Sequence, residues 1–199
     1  NSNMLTRLYP TLPNTILLNG QSIESIKQKS LHEKIVMVPQ EAFLFSETIS
    51  ENIQFGTEQN IEEELDLWAK TVDIDNEIRS LPSGYNSQLG ERGVNLSGGQ
   101  KQRLTIARAL CTRAPVVILD DSLSAVDVST EASISKAIAS MQDVKKTRII
   151  VAHRLTAVEN ADQIIVLKDG QIEAIGKHKD LLNKSPTYRK MAEIQGYTL

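Results

Sequence analysis

Short apolar runs alternate along the chain with stretches in which apolar residues recur at helical spacing. The runs 16–18, 34–38, 116–119 and 148–152 are too short for helices and predict strands. The run 116–119 lacks alternation with polar residues, which is typical of a strand buried on both faces of a mostly parallel sheet. Residues 163–175 predict a β-hairpin. Helices are predicted at 1–10, 61–72, 75–81, 101–110, 129–141, 178–183 and 186–195.

Length, charge and composition exclude some classes of protein but do not identify one. A length of 199 residues suits one domain, and a net charge of −3 with scarce aromatic residues argues against nucleic acid as a partner. The single cysteine, Cys111, excludes an internal disulfide and fits a reducing compartment. No apolar run approaches the length of a membrane span, and no signal peptide is recognisable at Asn1.

The stretch 96–100, Leu-Ser-Gly-Gly-Gln, stands directly before a predicted helix. Ser97 and Gln100 have the spacing of a capping box, so a well-started helix is the plain structural interpretation. That interpretation leaves Gly98 and Gly99 unexplained, because each costs up to about 1 kcal/mol relative to alanine in a helix. A helix start without side chains presents bare N–H groups and a positive dipole end, which predicts a phosphate-binding turn.

This stretch, together with the apolar strand and paired aspartates at 116–121, resembles the signature motif and Walker B strand of ATP-binding-cassette (ABC) ATPases. The resemblance runs over the whole chain. It implies an α/β fold, with a P-loop NTPase-like, mostly parallel sheet core at 1–39 and 114–199. A helical subdomain that carries the signature is inserted at 40–113.

A phosphate-binding P-loop requires Gly-x-x-x-x-Gly-Lys-Ser/Thr, and this pattern is absent from the sequence. The one Gly-Lys pair, Gly176-Lys177, is followed by His178. We therefore expect an ABC domain truncated at its N-terminus, and we expect the chain by itself to be inactive.

The run 38–45 is similar to the Q-loop of exporter-type ABC domains. The resemblance implies that Gln40 contacts a catalytic Mg²⁺ or water, and that the loop meets a coupling helix of a transmembrane domain. A glutamine that caps a strand end is the plain alternative for Gln40. Phe43, Leu44 and Phe45 are expected to be exposed, and clustered apolar residues at a surface indicate a partner.

Further motifs follow in the family's order. Asp120 resembles the Walker B aspartate that holds Mg²⁺, although two aspartates at a strand end also suit a simple turn. Asp121 occupies the position at which most members have the glutamate that orients or deprotonates the attacking water. The run 122–127, ending at Asp127, resembles the D-loop that crosses to the opposite subunit. His153 matches the H-loop histidine that contacts the γ-phosphate, and a packed core histidine is its alternative.

The irregular segment 82–95 is long for a loop in a compact domain, which is typical of a functional loop. Within it, 90–93 resembles the X-loop of exporters, and a solvated charge pair is the alternative.

In the family, ATP lies between two subunits packed head to tail, so the resemblance implies a second ABC domain, identical or different. Each site then joins Gln40, Asp120 and His153 of one subunit to the stretch 97–100 of the other. Asp121 is one methylene shorter than glutamate, which places its carboxylate about an ångström from the required position and predicts a rate loss of roughly 100-fold at its own site. The combination of a slowly hydrolysing site and an intact signature motif resembles one half of a heterodimeric bacterial multidrug exporter. The resemblance implies a location at the cytoplasmic face of the cell membrane and the export of a small molecule or a lipid.

Two other functions stay open from the sequence. One is a binding module that lends its signature to a partner without hydrolysing ATP. The other is the ABC head of chromosome-structure and DNA-repair proteins, although these heads usually join two distant sequence segments through a coiled coil, and no heptads are present here.

Overall fold

The computed structural model describes residues 2–90, 94–124, 126–140 and 147–197. The chain divides into two compact units, Asn1–Val151 and Ala152–Leu199. The subdomain boundaries at 40 and 113 stay a prediction, and the X-loop assignment falls on residues 91–93, which lie outside the described part.

Most of the helices and strands were predicted, but the helix predicted at 1–10 ends at Leu5. The helices at Gln28–His32 and Ile49–Gln54 and the strand at Gln21–Ser22 were not predicted. The helices are α1 (Ser2–Leu5), α2 (Gln28–His32), α3 (Ile49–Gln54), α4 (Leu65–Thr71), α5 (Asp75–Ser80), α6 (Gly98–Cys111), α7 (Val128–Ser140), α8 (His178–Lys184) and α9 (Pro186–Ile194). The strands are β1 (Leu17–Leu18), β2 (Gln21–Ser22), β3 (Ile35–Val38), β4 (Val116–Asp120), β5 (Thr147–Val151), β6 (Ile164–Lys168) and β7 (Gln171–Gly176).

A parallel three-stranded sheet in the order β3-β4-β5 organises the first unit. Val38 pairs with Leu119, and Asp120 pairs with Val151, so the strands end at the same edge. This edge positions Gln40 and Asp121, each just beyond the end of its strand. Ligands bind at this edge in open α/β sheets.

Strand β4 is buried on both faces, as its unbroken apolar sequence predicted. Val117 and Leu119 belong to the large core formed with the helices, whereas Ile118 belongs to a smaller core with Ile23 and Leu31. Alternate side chains of a strand point to opposite faces, so β4 joins the two cores. The sequence-based prediction of this strand is confirmed.

Helix α6 runs through the large core and contacts both α3 and α4. Cys111, at its end, is 1% exposed, and its Sγ donates to the carbonyl of Ile53 at 2.9 Å. The predicted helix at 61–72 is shorter than expected. Its start forms a 3-10 turn at Glu62–Glu64, where Asn60 Oδ1 accepts the N–H of Glu62 at 3.0 Å.

Two Asn/Asp-Gly turns close the short hairpins. Asn19 and Gly20 have φ of 51° and 81° between β1 and β2, and Asp169 and Gly170 have φ of 51° and 76° between β6 and β7. Positive φ at both central residues defines the type I′ turn, whose twist matches that of the flanking strands. The hairpin predicted at 163–175 is confirmed.

The second unit packs α8 and α9 with the β6–β7 hairpin around Leu181, Tyr188 and Ala192. Helix α9 begins at Pro186, and the Oγ of Ser185 accepts the N–H of Tyr188 at 3.1 Å. Proline is favoured at the first helical position because its missing N–H would have no partner there.

Among the described residues, no helix has the length and apolar character needed to cross a bilayer.

Candidate functional site

The start of α6 is held by the predicted capping box. Ser97 Oγ accepts the N–H of Gln100 at 3.2 Å, and Gln100 Oε1 accepts the N–H of Ser97 at 2.9 Å. These two reciprocal hydrogen bonds therefore hold the first turn of α6 in place. The structural interpretation of Ser97 and Gln100 is confirmed, whereas their contact with a phosphate stays a prediction.

Gly98 has no structural reason to be glycine. A Cβ atom built on it would meet no heavy atom within 4 Å, and its φ lies outside the left-handed region. Alanine would therefore fit and would favour the helix by up to about 1 kcal/mol. The missing side chain leaves open space beside an exposed helix start.

Gln40 and Asp121 come together at the end of the parallel sheet. Gln40 Nε2 donates to Asp121 Oδ2 at 3.1 Å, although the two residues are far apart in sequence. Side-chain oxygens of Gln40, Asp120 and Asp121 are available on neighbouring strand ends. The structure thus joins two of the residues that the sequence analysis singled out.

The backbone at Asp121 is left-handed, with φ of 49°. Its N–H donates to the carbonyl of Val151 at 2.7 Å, and its own carbonyl accepts the hydroxyl of Ser124 at 2.7 Å. Asp and Asn tolerate this conformation better than most residues. These bonds hold the carboxylate at the sheet edge in a backbone conformation that is uncommon outside glycine.

The donor set at this edge fits magnesium. Mg²⁺ takes oxygen ligands, keeps several waters, and is bound by one or two carboxylates together with substrate phosphates. Asp120 is half-buried and Gln40 is exposed, so oxygen donors are present with room for water and phosphate. In the described part of the chain, no group of three or more His, Cys, Asp or Glu side chains forms a fully protein-made metal cage.

Asp127 caps α7. Its Oδ1 accepts the hydroxyl of Ser129 at 2.5 Å and the N–H of Thr130 at 3.0 Å. These hydrogen bonds, with that from Ser129 the strongest, hold the pKa of Asp127 well below its ordinary value of 3.8. The sequence analysis did not identify this cap, although Asp directly before a helical pattern is a typical signal. Within the predicted D-loop, Ala125 lies outside the described residues.

His153 is exposed near the start of the second unit. Gln195 Nε2 donates to the carbonyl of His153 at 2.8 Å, and Gln195 Oε1 accepts the N–H of Leu155 at 2.8 Å. One side chain thus holds the backbone on both sides of Arg154. Gln195 was not singled out from the sequence, because nothing in its surroundings there indicates a partner 42 residues earlier.

The aromatic loop differs in part from expectation. Phe43 is 62% exposed, but Leu44 and Phe45 are partly buried, so the expectation that all three are exposed is wrong. Leu44 packs on the large core. Phe45 lies against Phe55, with ring centroids 4.2 Å apart, and meets the edge of Phe43 at 5.0 Å. Phe55 is 54% exposed and was not identified from the sequence.

We refer to Phe43, Phe45 and Phe55 as the aromatic patch. Clustering of their rings makes the exposed part a continuous apolar surface, of the kind that receives partners. The patch lies close to α6, because Arg108 of that helix places its guanidinium 5.2 Å from the ring centre of Phe45.

The fold, the strand-end carboxylates and the capped Ser-Gly-Gly turn together define an ABC-type ATP-binding domain. The sequence profile of the family described as ABC transporter matches residues 2–124, and the chain therefore belongs to this family. ABC transporter ATP-binding domains are ATPases.

The chain is also similar in sequence to individual members of the family. The chain is 44% identical over 192 residues to the multidrug resistance-like ATP-binding protein MdlA of Buchnera aphidicola, covering 96% of this chain and 33% of that protein. It is 40% identical to ABC transporter B family member 14 of Arabidopsis thaliana, again over 96% of this chain but 15% of the relative.

A solved structure of a bacterial Atm1-family ABC exporter with ATP bound is also similar. Its TM-score is 0.91 at 37% sequence identity, covering 99% of this chain and 35% of that one. The predicted α/β fold with a parallel sheet core is confirmed. The chain spans about a third or less of the length of these relatives.

Proposed function

We propose that this chain is the ATP-binding and ATP-hydrolysing motor domain of an ABC exporter, located at the cytoplasmic face of the cell membrane. The exporter moves a small molecule or a lipid. Similarity to MdlA and to an Atm1-family exporter supports this function. The observation that carries it is Gly98, a helical glycine that no contact within the chain requires.

In this proposal two ABC domains pair head to tail, as homodimer or heterodimer. The turn formed by Ser97, Gly98, Gly99 and Gln100 binds the terminal phosphate of an ATP held mainly by the other subunit. A side chain at Gly98 would occupy the space that the phosphate enters. The capping box keeps the turn rigid, so little ordering is required when the phosphate binds.

The sheet edge carries the chemistry of the chain's own site. Asp120 and Gln40 would hold Mg²⁺, which neutralises phosphate charge when bound. Asp121 orients the attacking water, and Gln40 restrains its carboxylate through the observed hydrogen bond. His153 contacts the γ-phosphate, and Asp127 shapes the loop that reaches the second subunit. Because the side chain of Asp121 is one methylene shorter than glutamate and does not fully reach the attacking water, this site hydrolyses ATP slowly.

The aromatic patch receives a coupling helix of a transmembrane domain. Phe43 supplies the most exposed ring of the patch, and the segment from Gln40 to Phe45 joins this patch to the sheet edge. A partner here would cover apolar surface and gain roughly 25 cal/mol per Å².

Replacing Gly98 tests the proposal. Gly98→Ala is expected to stabilise the isolated chain by up to about 1 kcal/mol, because alanine favours the helix and meets no neighbour. In the full-length protein with its partner, the same change is expected to lower ATP turnover at least tenfold, because the methyl group enters the phosphate space. Denaturant unfolding and steady-state ATP hydrolysis measure the two effects.

The matched control is Ser133→Ala on the exposed side of α7. It also raises helix propensity, but it should leave ATP turnover unchanged. If Gly98→Ala stabilised the chain and left turnover at the wild-type level, the turn would have no role in phosphate binding and the proposal would fail.

A second candidate is a binding module that donates its signature without hydrolysing ATP. The absence of a Gly-x-x-x-x-Gly-Lys pattern from the sequence favours it for the chain in isolation. The two candidates differ in whether this chain's own carboxylates affect turnover, which substitutions at Asp121 measure.

A further inference from the structure

Arg108 of α6 forms hydrogen bonds both to α3 and to the loop that carries Phe43 and Phe45. Its Nε donates to the carbonyl of Asn52 at 2.8 Å, and its Nη2 donates to Asn52 Oδ1 at 2.7 Å. Its Nη1 donates to the carbonyl of Phe43 at 2.8 Å. One guanidinium thus binds both α3 and the loop before it.

Asn52 extends this connection into the loop backbone. The residue is 1% exposed, and its Nδ2 donates to the carbonyls of Phe45 at 3.0 Å and Thr48 at 2.9 Å. Its Oδ1 also accepts the N–H of Phe45 at 2.9 Å. Because buried polar groups are costly without partners, Arg108 and Asn52 hold the loop in one conformation.

The rings of the patch enclose the same guanidinium. The carbon centre of Arg108 lies 5.2 Å from the ring centre of Phe45 and 5.8 Å from that of Phe55. Partial burial of the guanidinium lowers the pKa of Arg108 below its ordinary value. Charge–ring attraction is stronger in such surroundings.

Arg108 lies eleven residues after Ser97 on the same unbroken helix. At 1.5 Å per residue the two positions are about 16 Å apart along its axis. A shift of the phosphate-binding end of α6 therefore displaces the guanidinium, and with it the carbonyl of Phe43 and the side chain of Asn52. No flexible segment intervenes between the two ends of this helix.

We propose that Arg108 is a positioning residue that couples the phosphate-binding turn of α6 to the aromatic patch. The inference rests on the proposed function, since it assumes that ATP contacts the turn and that a transmembrane domain contacts the patch. Arg108 itself touches neither. The fork of its guanidinium bonds three acceptors at fixed angles, which a lysine ammonium on a flexible stem does not reproduce.

Arg108→Lys in the full-length protein tests this coupling. Hydrogen exchange at residues 43–48 is measured with and without Mg-ATP, alongside ATP hydrolysis. In the wild-type protein Mg-ATP is expected to change exchange in this segment. In Arg108→Lys that ATP-dependent change is expected to fall about tenfold, while ATP hydrolysis stays within about threefold of wild type.

Arg103→Lys is the matched control on the same helix. Arg103 donates to the carbonyl of Asp73 and to Glu77 Oε1, so its loss also removes guanidinium bonds but none to the aromatic loop. This variant should keep the full ATP-dependent change in exchange. If Arg103→Lys lost the response as fully as Arg108→Lys, a general weakening of α6 would explain both results and the coupling role of Arg108 would fail.

Asn52→Asp gives a second route if Arg108→Lys folds poorly. The carboxylate still accepts from Arg108 and from Phe45 N–H, but it cannot donate to the loop carbonyls, so the response should again be reduced. If Arg108→Lys or Asn52→Asp keeps the full ATP-dependent change in hydrogen exchange at residues 43–48, the coupling role of Arg108 is overturned and the proposed function is unaffected. Wild-type protein that neither hydrolyses ATP nor changes its exchange overturns the proposed function itself.

Discussion

At Gly98 and at Asp121, the local backbone conformation would favour a different type of residue. Gly98 weakens a helix that has room for a side chain, and Asp121 adopts a left-handed conformation with φ of 49°. Glycine at position 98 lowers helix stability, and no heavy atom would contact a Cβ built there. At Asp121 three hydrogen bonds hold the uncommon backbone conformation and the carboxylate. Local conflicts of this kind concentrate at functional positions. The proposed function assigns both residues to ATP sites, Gly98 to the site of the other subunit and Asp121 to the chain's own.

Lengthening the side chain at Asp121 should reveal its role. In the full-length protein assembled without a different partner, Asp121→Glu is expected to raise ATP turnover by about tenfold or more, because the carboxylate then reaches the water. The same change should destabilise the chain by about 0.5 kcal/mol, because glutamate tolerates positive φ less well than aspartate. Steady-state hydrolysis and thermal unfolding measure the two effects.

Asp121→Asn is the control, because it keeps the shape of the side chain and removes its negative charge. It keeps the tolerated backbone conformation and is expected to reduce the slow turnover further. Brisk hydrolysis by the wild-type protein alone, unaffected by Asp121→Asn, would contradict a weak catalytic role for Asp121.

At the scale of elements, side-chain caps fix where helices α3, α6, α7 and α9 begin. Thr48, Ser97, Asp127 and Ser185 each accept an N–H from the first turn that follows. Their shared chemistry explains why the starts of α6, α7 and α9 could be predicted from sequence within a few residues, whereas α3 was not predicted. The start at Ser97 alone in this set is followed by two glycines.

The cap of α9 is reinforced by Glu173 of β7. The carboxylate accepts the hydroxyl of Ser185, and it accepts the hydroxyl of Thr187 at 2.6 Å and the N–H of Thr187 at 3.2 Å. These bonds, that from Ser185 first, lower the pKa of Glu173 from its ordinary value of 4.5. The charged carboxylate therefore joins the hairpin to the helix.

Acid titration should reveal this link. The stability that Glu173 contributes is fully present above its unfolded pKa near 4.5 and is lost as the pH falls through the lower folded pKa. Glu173→Gln should thus be less stable than wild type at pH 7, with a difference that shrinks below about pH 4. Denaturant unfolding across pH measures it. The exposed Glu193→Gln on α9, which loses only a surface pair with Arg189 at 3.6 Å, should show little difference at any pH.

Short-range patterns predicted the elements, whereas long-range side-chain bonds escaped prediction. The strand 116–120 and the helix that starts at Gly98 follow from unbroken apolar sequence and from capping chemistry. Arg108 and Asn52 are 56 residues apart, and Gln195 and His153 are 42 apart. Such contacts depend on how elements pack, and a single sequence carries no periodicity that reports them. Phe45 was misjudged for the same reason, since its burial depends on Phe55.

At the scale of the whole chain, membership of the ABC transporter family implies a nucleotide, because ABC domains bind ATP. The net charge of −3 does not indicate nucleic acid as a partner. The chain corresponds to 33% of the length of MdlA and 15% of that of the Arabidopsis relative. The chain therefore corresponds to one part of such proteins, and under the proposed function that part contributes the strand-end carboxylates and the signature turn.

The isolated 199-residue chain should bind ATP weakly. Without a Gly-x-x-x-x-Gly-Lys loop we expect a Kd above about 1 mM, so 1 mM Mg-ATP would add less than about 0.4 kcal/mol of stability. That corresponds to a rise in Tm of at most about 1.5 °C. Thermal unfolding with and without Mg-ATP measures it.

The full-length protein provides the comparison, with an expected rise of several degrees under the same conditions. An equally large rise for the isolated chain would show that residues within the chain suffice to grip the phosphates, contrary to this prediction.

The burial of Cys111 has a practical consequence. The sole thiol of the chain is shielded at the end of α6, so a maleimide fluorophore would leave it unlabelled in the native protein. Phe43→Cys would then provide the one accessible thiol within these 199 residues, with Cys111 left in place. Emission from a dye at position 43 would report whether this position is exposed to water or covered by a partner.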